Sequence, residues 1–458
     1  MTQQVAQVPQ ITKALCQAVV QLSFNALPAQ VIAIAKRIIL DGVAVAVAGA
    51  HEDGPRITAA HVHDLGGTPM STVIGHGFKT SPVSAAYVNG VSMHVLDYEP
   101  MWSPPTHAAS PTLPTVLALA EMVNAPGREV ITAFVKACEI QGRLRLASRQ
   151  YEPGKLKYHP PGVVGVMGSA VAASHLLQFT PEQLQHALGI AASRAGGVMA
   201  NVGTMTKATH CGWAAAAGLD AALLARRGFT GNTEIVEAPN GYADVFFGES
   251  CDFSALGAFG QSYRMVEPGF AVKMFPSQYA THFGITAGLE LHSRIPDPAT
   301  ITSVRITTPV MPYVDRPHPR TGLDGKFSFQ YTVAAALLDG AVTVRTFTDE
   351  RRFRSDMEKL LEVITIVQTD AIPGEMEKMW VDVEVELANG GRVASRCHGP
   401  RGFWGLPPLS RDEHLTKVCD CLEMRLTRDQ TERCIQLAEK LDELEADGVQ
   451  ELVTLAGC

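Results

Sequence analysis

The chain has 458 residues, 46% hydrophobic and 18% charged, so it can bury a large core and belongs to neither the disordered nor the fibrous class. Its 38 Lys and Arg against 46 Asp and Glu give a formal net charge of -8, and no basic field exists to bind a nucleic acid. The length allows about three domain-sized units, or one large core with one smaller domain.

The N-terminal region shows no membrane or secretion signal. Residues 31–50 are its most apolar stretch, but Lys36, Arg37 and Asp41 interrupt it, whereas a bilayer span needs about 20 nearly uncharged residues. Residues 1–9 lack the basic and apolar regions of a secretory signal. The nine scattered cysteines contain no CxxC pair, which indicates reduced thiols. We therefore expect a cytoplasmic protein without a membrane partner.

Helical patterns dominate from residue 11 to about 259. The segment 180–183 marks a helix start, with a Thr N-cap, a Pro at the first helical position and a Gln placed for a capping box. A second helix is predicted over 213–227, with Gly228 as the residue that ends it. Its small apolar side chains indicate that it is buried.

Strand signals mix with helices after residue 269. Val and Leu alternate with Asp and Glu over 381–387, which is the pattern of a half-buried strand. Residues 389–391 read as a hairpin turn and 392–396 as the returning strand, and 301–307 is a further candidate. These signals predict an α+β unit whose sheet has one face open to solvent.

The helical pattern returns after Pro408, with a capping box at 410–413. We expect these C-terminal helices to pack back onto the first helical unit.

Four segments place ionisable residues beside Gly, Pro and Thr, where loops and helix ends aim side chains into clefts. In the first, Asp97 and His107 are separated by a loop with two prolines. An Asp beside a His can fix the tautomer of the ring and raise its basicity, as acid-base catalysis requires. The alternative is a surface loop with a solvated acid and a capping His.

The second segment has His159 just before a predicted helix, followed by Gly162, Gly165 and Gly168. No strand precedes this GxxGxxG spacing, so it predicts close helix packing rather than a dinucleotide loop. His159 either meets an anion at the helix N-terminus or caps the helix.

The last two segments carry lysines. Lys207 lies among Thr residues at the entrance of the predicted 213–227 helix, as in a carboxylate or phosphate clamp, or is simply solvated. Lys273 and Tyr313 flank the region after residue 269 in which strand signals begin to mix with helices. Lys273 could reach a cleft between the two units, and Tyr313 could face that cleft. Their spacing alone also allows a solvated Lys and a packing Tyr.

Two residue sets could suggest a metal site: His94, Asp97 and His107, or His61 and His63. Neither forms a HExxH, CxxC or facial-triad arrangement, so we expect no metal and no other cofactor.

In this order, and over nearly the whole chain, the four segments resemble the MmgE/PrpD family. The resemblance is most specific at Gly203-Thr204-Met205-Thr206-Lys207 and at the helix end 225–231. Four further stretches are most similar to the aconitate decarboxylase branch of that family: 139–144, 159–165, 313–317 and 327–331.

The resemblance implies a mostly α-helical homodimer. Each protomer would have a large all-helical domain, formed by residues 1–268 and 405–458, and a smaller α+β lid domain over 269–404. It also implies a cleft with six site residues, which match here Asp97, His107, His159, Lys207, Lys273 and Tyr313.

The family's reactions are cofactor-free and occur at the carbon next to a carboxylate: dehydration of 2-methylcitrate, decarboxylation of cis-aconitate and epimerisation of iminodisuccinate. The resemblance therefore implies a lyase acting on a small di- or tricarboxylate, similar to cis-aconitate decarboxylase. The alternatives are a dehydratase, an epimerase, or a carboxylate-binding protein without catalysis. Lys207 and Lys273 are expected to bind substrate carboxylates and Tyr313 to close the site from the lid.

In the same scheme His107, oriented by Asp97, donates or accepts the proton, and His159 is its partner or a carboxylate ligand. The sequence departs from the family pattern at Glu99-Pro100, beside the Asp, and at Ser277-Gln278, where many members carry Cys-Cys. These departures keep the six residue types and bear on the choice of substrate.

Overall fold

The structure is a computed structural model that describes residues 10–458. Over that range the chain forms nineteen α-helices and six β-strands, which confirms the mostly α-helical prediction. None of the helices in this range combines the length and the apolar character that a membrane crossing requires.

The first apolar core is built mainly from helices that precede residue 260. They are α1 (Ile11–Gln21), α2 (Ala29–Gly49), α3 (Asp53–Leu65), α4 (Pro82–Val95), α5 (Leu113–Val123), α6 (Gly127–Ser148), α7 (Pro160–Leu176), α8 (Pro181–Ala192), α9 (Thr206–Arg226), α10 (Tyr242–Phe247) and α11 (Ser254–Gly257). The expected capping box of Thr180 and Gln183 starts α8. A short antiparallel ribbon of β1 (Ser71–Val73) and β2 (Phe78–Thr80) interrupts this otherwise helical part.

Three C-terminal helices complete the same core: α17 (Arg411–Leu422), α18 (Arg428–Glu439) and α19 (Ala446–Ala456). The predicted capping box of Ser410 and Glu413 starts α17. Both α17 and α18 pack on α2. At that contact the Lys417 ammonium donates to Asp41 Oδ1 (3.0 Å) and to the backbone oxygen of Tyr98 (2.8 Å), and all of these atoms are buried or nearly so.

A second apolar core is built mainly from residues 271–404, together with Met101 and Val202. Its helices are α12 (Thr281–His292), α13 (Gly322–Gly325), α14 (Phe329–Asp339), α15 (Asp349–Arg352) and α16 (Ser355–Leu361). Its strands are β3 (Ile301–Thr308), β4 (Ile364–Gln368), β5 (Val381–Leu387) and β6 (Arg392–Cys397), in the order β4-β3-β5-β6. The domain boundaries at 268/269 and 404/405 stay a prediction.

The sheet has the expected half-buried character. Val381, Val383 and Val385 of β5 are buried, and α12 packs on β5 and β6, whereas Glu384 points to solvent. The edge strand β4, parallel to β3, was not predicted, because its apolar run directly follows a helix and lacks a clear alternation.

Helix α9 begins seven residues before the predicted start at residue 213. The sequence favours a break at Gly212, but the glycine lies inside the helix and serves packing instead. Helices α4 and α9 cross there so closely that a Cβ on Gly90 would lie 2.6 Å from the Gly212 Cα atom. Lys207 therefore stands in the first turn of α9 rather than in a loop.

The glycine stripe of α7 confirms the packing interpretation of its spacing. A Cβ on Gly165 would overlap Pro111, and one on Gly168 would lie 2.8 Å from the Thr112 side chain. These contacts bring α7 against the segment that leads into α5.

Candidate active site

A cavity of about 70 Å³ lies where the two apolar cores meet. Five of the six predicted site residues line it: Asp97, His107, His159, Lys207 and Tyr313. The sixth, Lys273, is fully buried behind Asp97. The structure therefore brings the whole predicted set together, although the residues are up to 216 positions apart in sequence.

Helix ends position three of these residues, and a 3₁₀ turn positions a fourth. Asp97 follows the last turn of α4, and His159 is the N-cap residue of α7, where its side chain makes no capping hydrogen bond. Lys207 lies in the first turn of α9, and Tyr313 belongs to a single 3₁₀ turn after β3. Because α4 and α7 both pack on α9, the ends of these helices converge on one side of the first core.

Asp97 is held by both lysines. Lys207 Nζ donates to Asp97 Oδ2 at 2.6 Å, and Lys273 Nζ donates to Oδ1. Burial raises the pKa of Asp97, but the two ammonium groups outweigh burial and bring that pKa well below its usual range. Asp97 is therefore ionised.

A substrate-binding lysine would be expected to face the cavity, but Lys273 does not. Besides Asp97 Oδ1, its ammonium donates to the backbone oxygens of Asp97 (2.8 Å) and Ser277 (3.0 Å). These three acceptors use all three of its N–H groups. The arrangement fits a group that fixes the position of Asp97.

His107 has two acidic neighbours. Its Nε2 lies 3.6 Å from Asp97 Oδ1, and its Nδ1 lies 3.2 Å from Glu99 Oε1 without the alignment of a hydrogen bond. Glu99, rather than the expected Asp97, is thus the nearer carboxylate. Burial lowers the pKa of His107 to about 3, with Glu99 opposing the shift, so the ring is neutral at pH 7.

His94 was considered only as a possible metal ligand, yet it lies at the centre of the cluster. Its Nδ1 contacts Glu99, and its Nε2 is 3.0 Å from the Lys207 ammonium. Its ring lies 4.9 Å from the ring of His107 and 5.2 Å from that of His159. The sequence did contain a signal: His94 precedes Asp97 by only three positions, and the Asp97 N–H donates to the His94 backbone oxygen (2.9 Å) in the turn after α4.

His159 is a second neutral imidazole. Burial, followed by the nearby Lys207 ammonium, brings its pKa well below the usual value. Its Nδ1 lies 3.3 Å from Nδ1 of His210, whose pKa burial lowers to about 4.

Tyr313 lines the cavity from the side of the second core. Its hydroxyl accepts a hydrogen bond of 2.8 Å from Gln278 Nε2, one of the residues at which the sequence departs from the family pattern. Burial, and then the Asp97 charge, raise the pKa of Tyr313, so the phenol keeps its proton.

Further polar groups around the cavity escaped sequence analysis. Thr106 Oγ1 and the Tyr279 hydroxyl belong to residues that line it, and neither has a hydrogen-bond partner within residues 10–458. Lys326 lies just behind, donating to the backbone oxygen of Leu96 at 3.2 Å, and burial lowers its pKa to about 8. No local motif singles out these residues, because only the packing of the two cores brings them near Asp97.

The donor atoms of His94, Glu99 and His107 lie within 4.8 Å of one another, so their geometry alone could hold a metal ion. The Lys207 ammonium already donates to His94 Nε2, and Lys273 is a second cation beside the cluster. Positive charge at that distance opposes a metal cation. We therefore assign no metal to these residues.

Comparison with known proteins shows similarity along most of the chain. Residues 13–254 match the model of the MmgE/PrpD N-terminal domain, and residues 275–443 match that of the MmgE/PrpD C-terminal domain.

Curated relatives extend that similarity. The chain is 31% identical to cis-aconitate decarboxylase of Mus musculus, over 95% of this chain and 91% of the relative. It is 30% identical to cis-aconitate decarboxylase of Homo sapiens, over 95% of this chain and 92% of the relative. Identity to 2-methylcitrate dehydratase of Escherichia coli (strain K12) is 28%, over 84% of each.

Proposed function

Because this chain belongs to the MmgE/PrpD family, we propose that it is a cofactor-independent lyase, similar to cis-aconitate decarboxylase, acting on a small di- or tricarboxylate. One observation carries the proposal: the cavity places the Lys207 ammonium beside two neutral imidazoles and a protonated phenol. An ammonium can bind a carboxylate and stabilise developing negative charge, while the other groups move protons.

In this proposal Lys207 binds the carboxylate next to the reacting carbon. Lys273 acts on the substrate indirectly, by holding Asp97 where it orients Lys207. The chemistry requires a proton to reach or leave the carbon next to that carboxylate as CO2 or water departs. The electron pair left on carbon is delocalised onto the carboxylate, where the ammonium stabilises it.

His107 is the proposed group that exchanges this proton, with His159 as its partner. Both rings are neutral in the free protein, so either can accept a proton directly. A bound carboxylate adds negative charge, which raises the pKa of a neighbouring imidazole and lets it carry the proton. Tyr313, which keeps its proton, donates a hydrogen bond from the second core and closes the site.

Proton NMR with cis-aconitate in D2O tests the proposal. With no metal or cofactor added, we expect the methylene signals of itaconate, with one deuteron incorporated per product molecule. The variants Lys207→Met and His107→Gln should lose at least a hundredfold in turnover, whereas the exposed His61→Gln should keep it.

The same experiment addresses the alternative reactions. A dehydratase would convert 2-methylcitrate with loss of water, and an epimerase would exchange a substrate proton with solvent and release neither CO2 nor water. If no such substrate reacted, or if Lys207→Met and His107→Gln both kept full turnover, the proposal would be wrong.

We also propose that the protein is a cytoplasmic homodimer. Trp213 is 61% exposed on α9, and Phe229 just beyond that helix is 58% exposed, so apolar surface is available for a second copy. Light scattering should give twice the mass of the 49.1 kDa chain.

A further inference from the structure

The proposed decarboxylation consumes one proton in each turnover. Loss of CO2 from a carboxylate leaves an electron pair on carbon, and the product forms when a proton adds to that carbon. The net reaction is RCOO⁻ + H⁺ → RH + CO2. The site can therefore supply a proton once, and it must take up another from solvent before the next turnover.

Water inside the cavity does not offer a route for this uptake while a substrate is bound. The cavity of about 70 Å³ has room for only a few water molecules, which a substrate displaces. The ionisable groups nearest to His107 and His159 do not offer a route either, because the following four are themselves buried: Asp97, Glu99, His94 and Lys207.

His210 connects one of these imidazoles with the surface. Its Nδ1 lies 3.3 Å from Nδ1 of His159, and the two ring centres are 5.3 Å apart. Its Nε2 makes no hydrogen bond to residues 10–458 and is not enclosed by them. The side chain is partly exposed and lies outside the cavity lining. His210 therefore has one nitrogen at the site and the other open to solvent.

Packed backbone holds the two rings together. His210 lies three positions after Lys207 in α9, and His159 is the N-cap residue of α7. The backbone oxygen of Gly197 accepts a hydrogen bond of 2.9 Å from the His159 N–H. Gly197 has a φ of +139°, and a Cβ there would lie 3.2 Å from the His210 ring. The glycine thus leaves the space in which the two imidazoles meet.

Both rings are in the state that a relay requires. Burial lowers the pKa of His210 to about 4, and His94 and Lys207 lower that pKa further, so His210 is neutral at pH 7, like His159. A neutral imidazole has a proton on one nitrogen and a lone pair on the other. With protons on His210 Nδ1 and His159 Nε2, each ring can accept a proton on one side and donate one on the other.

We propose that His210 relays protons from solvent to His159. The inference rests on the proposed function, because decarboxylation consumes a proton whereas dehydration and epimerisation do not. A proton from water or buffer adds to His210 Nε2, and the proton on His210 Nδ1 moves to Nδ1 of His159. The proton on His159 Nε2 then crosses the cavity to His107, which has given its own proton to carbon. Both rings end neutral, and a half-turn of each ring restores the starting tautomers.

The variant His210→Gln tests the relay. Its amide can still form a hydrogen bond to His159, but it cannot pass a proton from one side to the other. In dilute buffer at pH 7, kcat with cis-aconitate should fall by about tenfold or more. The value of kcat/KM should not change, because CO2 has already left when the proton from solvent is needed. Disturbed packing of α9 would instead lower both.

The variant His210→Ala adds a second readout. It removes the ring and leaves an opening that imidazole can enter, so added imidazole should restore most of the lost kcat. A bulky buffer such as TAPS should not restore it. The matched control is His61→Ala, because His61 is exposed on α3, and it should keep its kcat with or without imidazole.

The outcomes separate the relay from the proposed function. If itaconate forms but both variants keep full kcat, the relay is wrong and the proposed function stands. The relay is also wrong if kcat and kcat/KM fall together, or if imidazole restores nothing. If the wild-type protein releases no CO2 from any di- or tricarboxylate, the proposed decarboxylation fails, and the relay fails with it because no proton is consumed.

Discussion

Asp97 is the residue on which the site depends most. It has a backbone φ of +50°, a left-handed conformation that Asp tolerates better than most residues. There its carboxylate meets both Lys207 and Lys273 and its backbone oxygen accepts from Lys273. The sequence could indicate that these residue types belong to one site, but only the fold shows that the acid holds the lysines rather than His107.

Removal of the Asp97 charge should destabilise the protein. In Asp97→Asn the two buried ammonium groups lose their shared counter-charge, and a broken buried ion pair costs about 3–5 kcal/mol. Urea unfolding measures the loss. The control is Asp53→Asn, since Asp53 pairs with Arg56 at the surface and should cost less than about 1 kcal/mol. Equal effects of the two substitutions would contradict the role given to Asp97.

Glu99 gives a second test at this scale. It contacts His94 and is the carboxylate nearest to His107 Nδ1, so its charge acts on both rings. Glu99→Gln keeps the shape but removes the charge, and turnover should fall by about a hundredfold or more. The exposed Glu249→Gln is the matched control. An unchanged rate in Glu99→Gln would show that Asp97 alone orients His107.

Helices carry the site residues, and their close crossings set the distances between them. Capping boxes at Thr180 and Ser410 identify the starts of α8 and α17 from sequence alone, because the signal is local. The predicted start of α9 at residue 213 was wrong because a glycine can either end a helix or allow two helices to cross closely, and Gly212 has the second role. A helix break is visible in sequence, whereas a close approach to α4 is not.

Gly212→Ala should therefore affect both stability and catalysis. The added Cβ would overlap the backbone oxygen of Tyr87 on α4, which cannot rotate away, and such overpacking costs about 1–3 kcal/mol. The resulting shift of α9 would move Lys207 relative to Asp97 and lower turnover. Gly257→Ala, with open space around its Cβ, should be neutral or stabilising. Thermal unfolding and turnover of the two variants check this, and a harmless Gly212→Ala would refute it.

At the scale of the whole molecule, burial of neutral histidines makes the fold sensitive to acid. Within residues 10–458, burial is the main cause that lowers the pKa of eight histidines: His51, His76, His94, His107, His159, His175, His210 and His282. Between pH 6.5 and the lower folded-state values, the unfolded chain binds more protons than the folded chain. Stability must therefore fall as pH falls through this window.

The free energy of unfolding should drop between pH 6.5 and 5.5 by at least about 1.4 kcal/mol, the value for one proton per pH unit. Below about pH 4 the ionised Asp97 and Glu99 continue the trend, because their folded pKa values are also lowered. Urea titrations at several pH values measure this slope. Replacing the buried His282 with Gln should reduce it, and a stability independent of pH from 7 to 5 would contradict the burial of neutral rings.

The division into a helical part and an α+β part could be predicted because each part has its own periodicity over many residues. The apolar side of the cavity could not be predicted, since residues as distant as Met101 and Met376 become neighbours only when the two cores meet. Likewise, residues 364–368 form a strand because they pair with β3, and their own residue pattern does not indicate one.

The Lys417 contact with Asp41 and Tyr98 has a consequence for synthesis on the ribosome. Tyr98, next to Asp97, accepts a hydrogen bond from α17, a helix that the ribosome synthesises more than 300 residues later. Until α17 emerges, the nascent chain exposes the apolar face of α2 and a carboxylate without its ammonium. The last tenth of the chain thus completes the packing beside the candidate site. A chain that stops before α17 exposes an apolar surface that chaperones and proteases can bind.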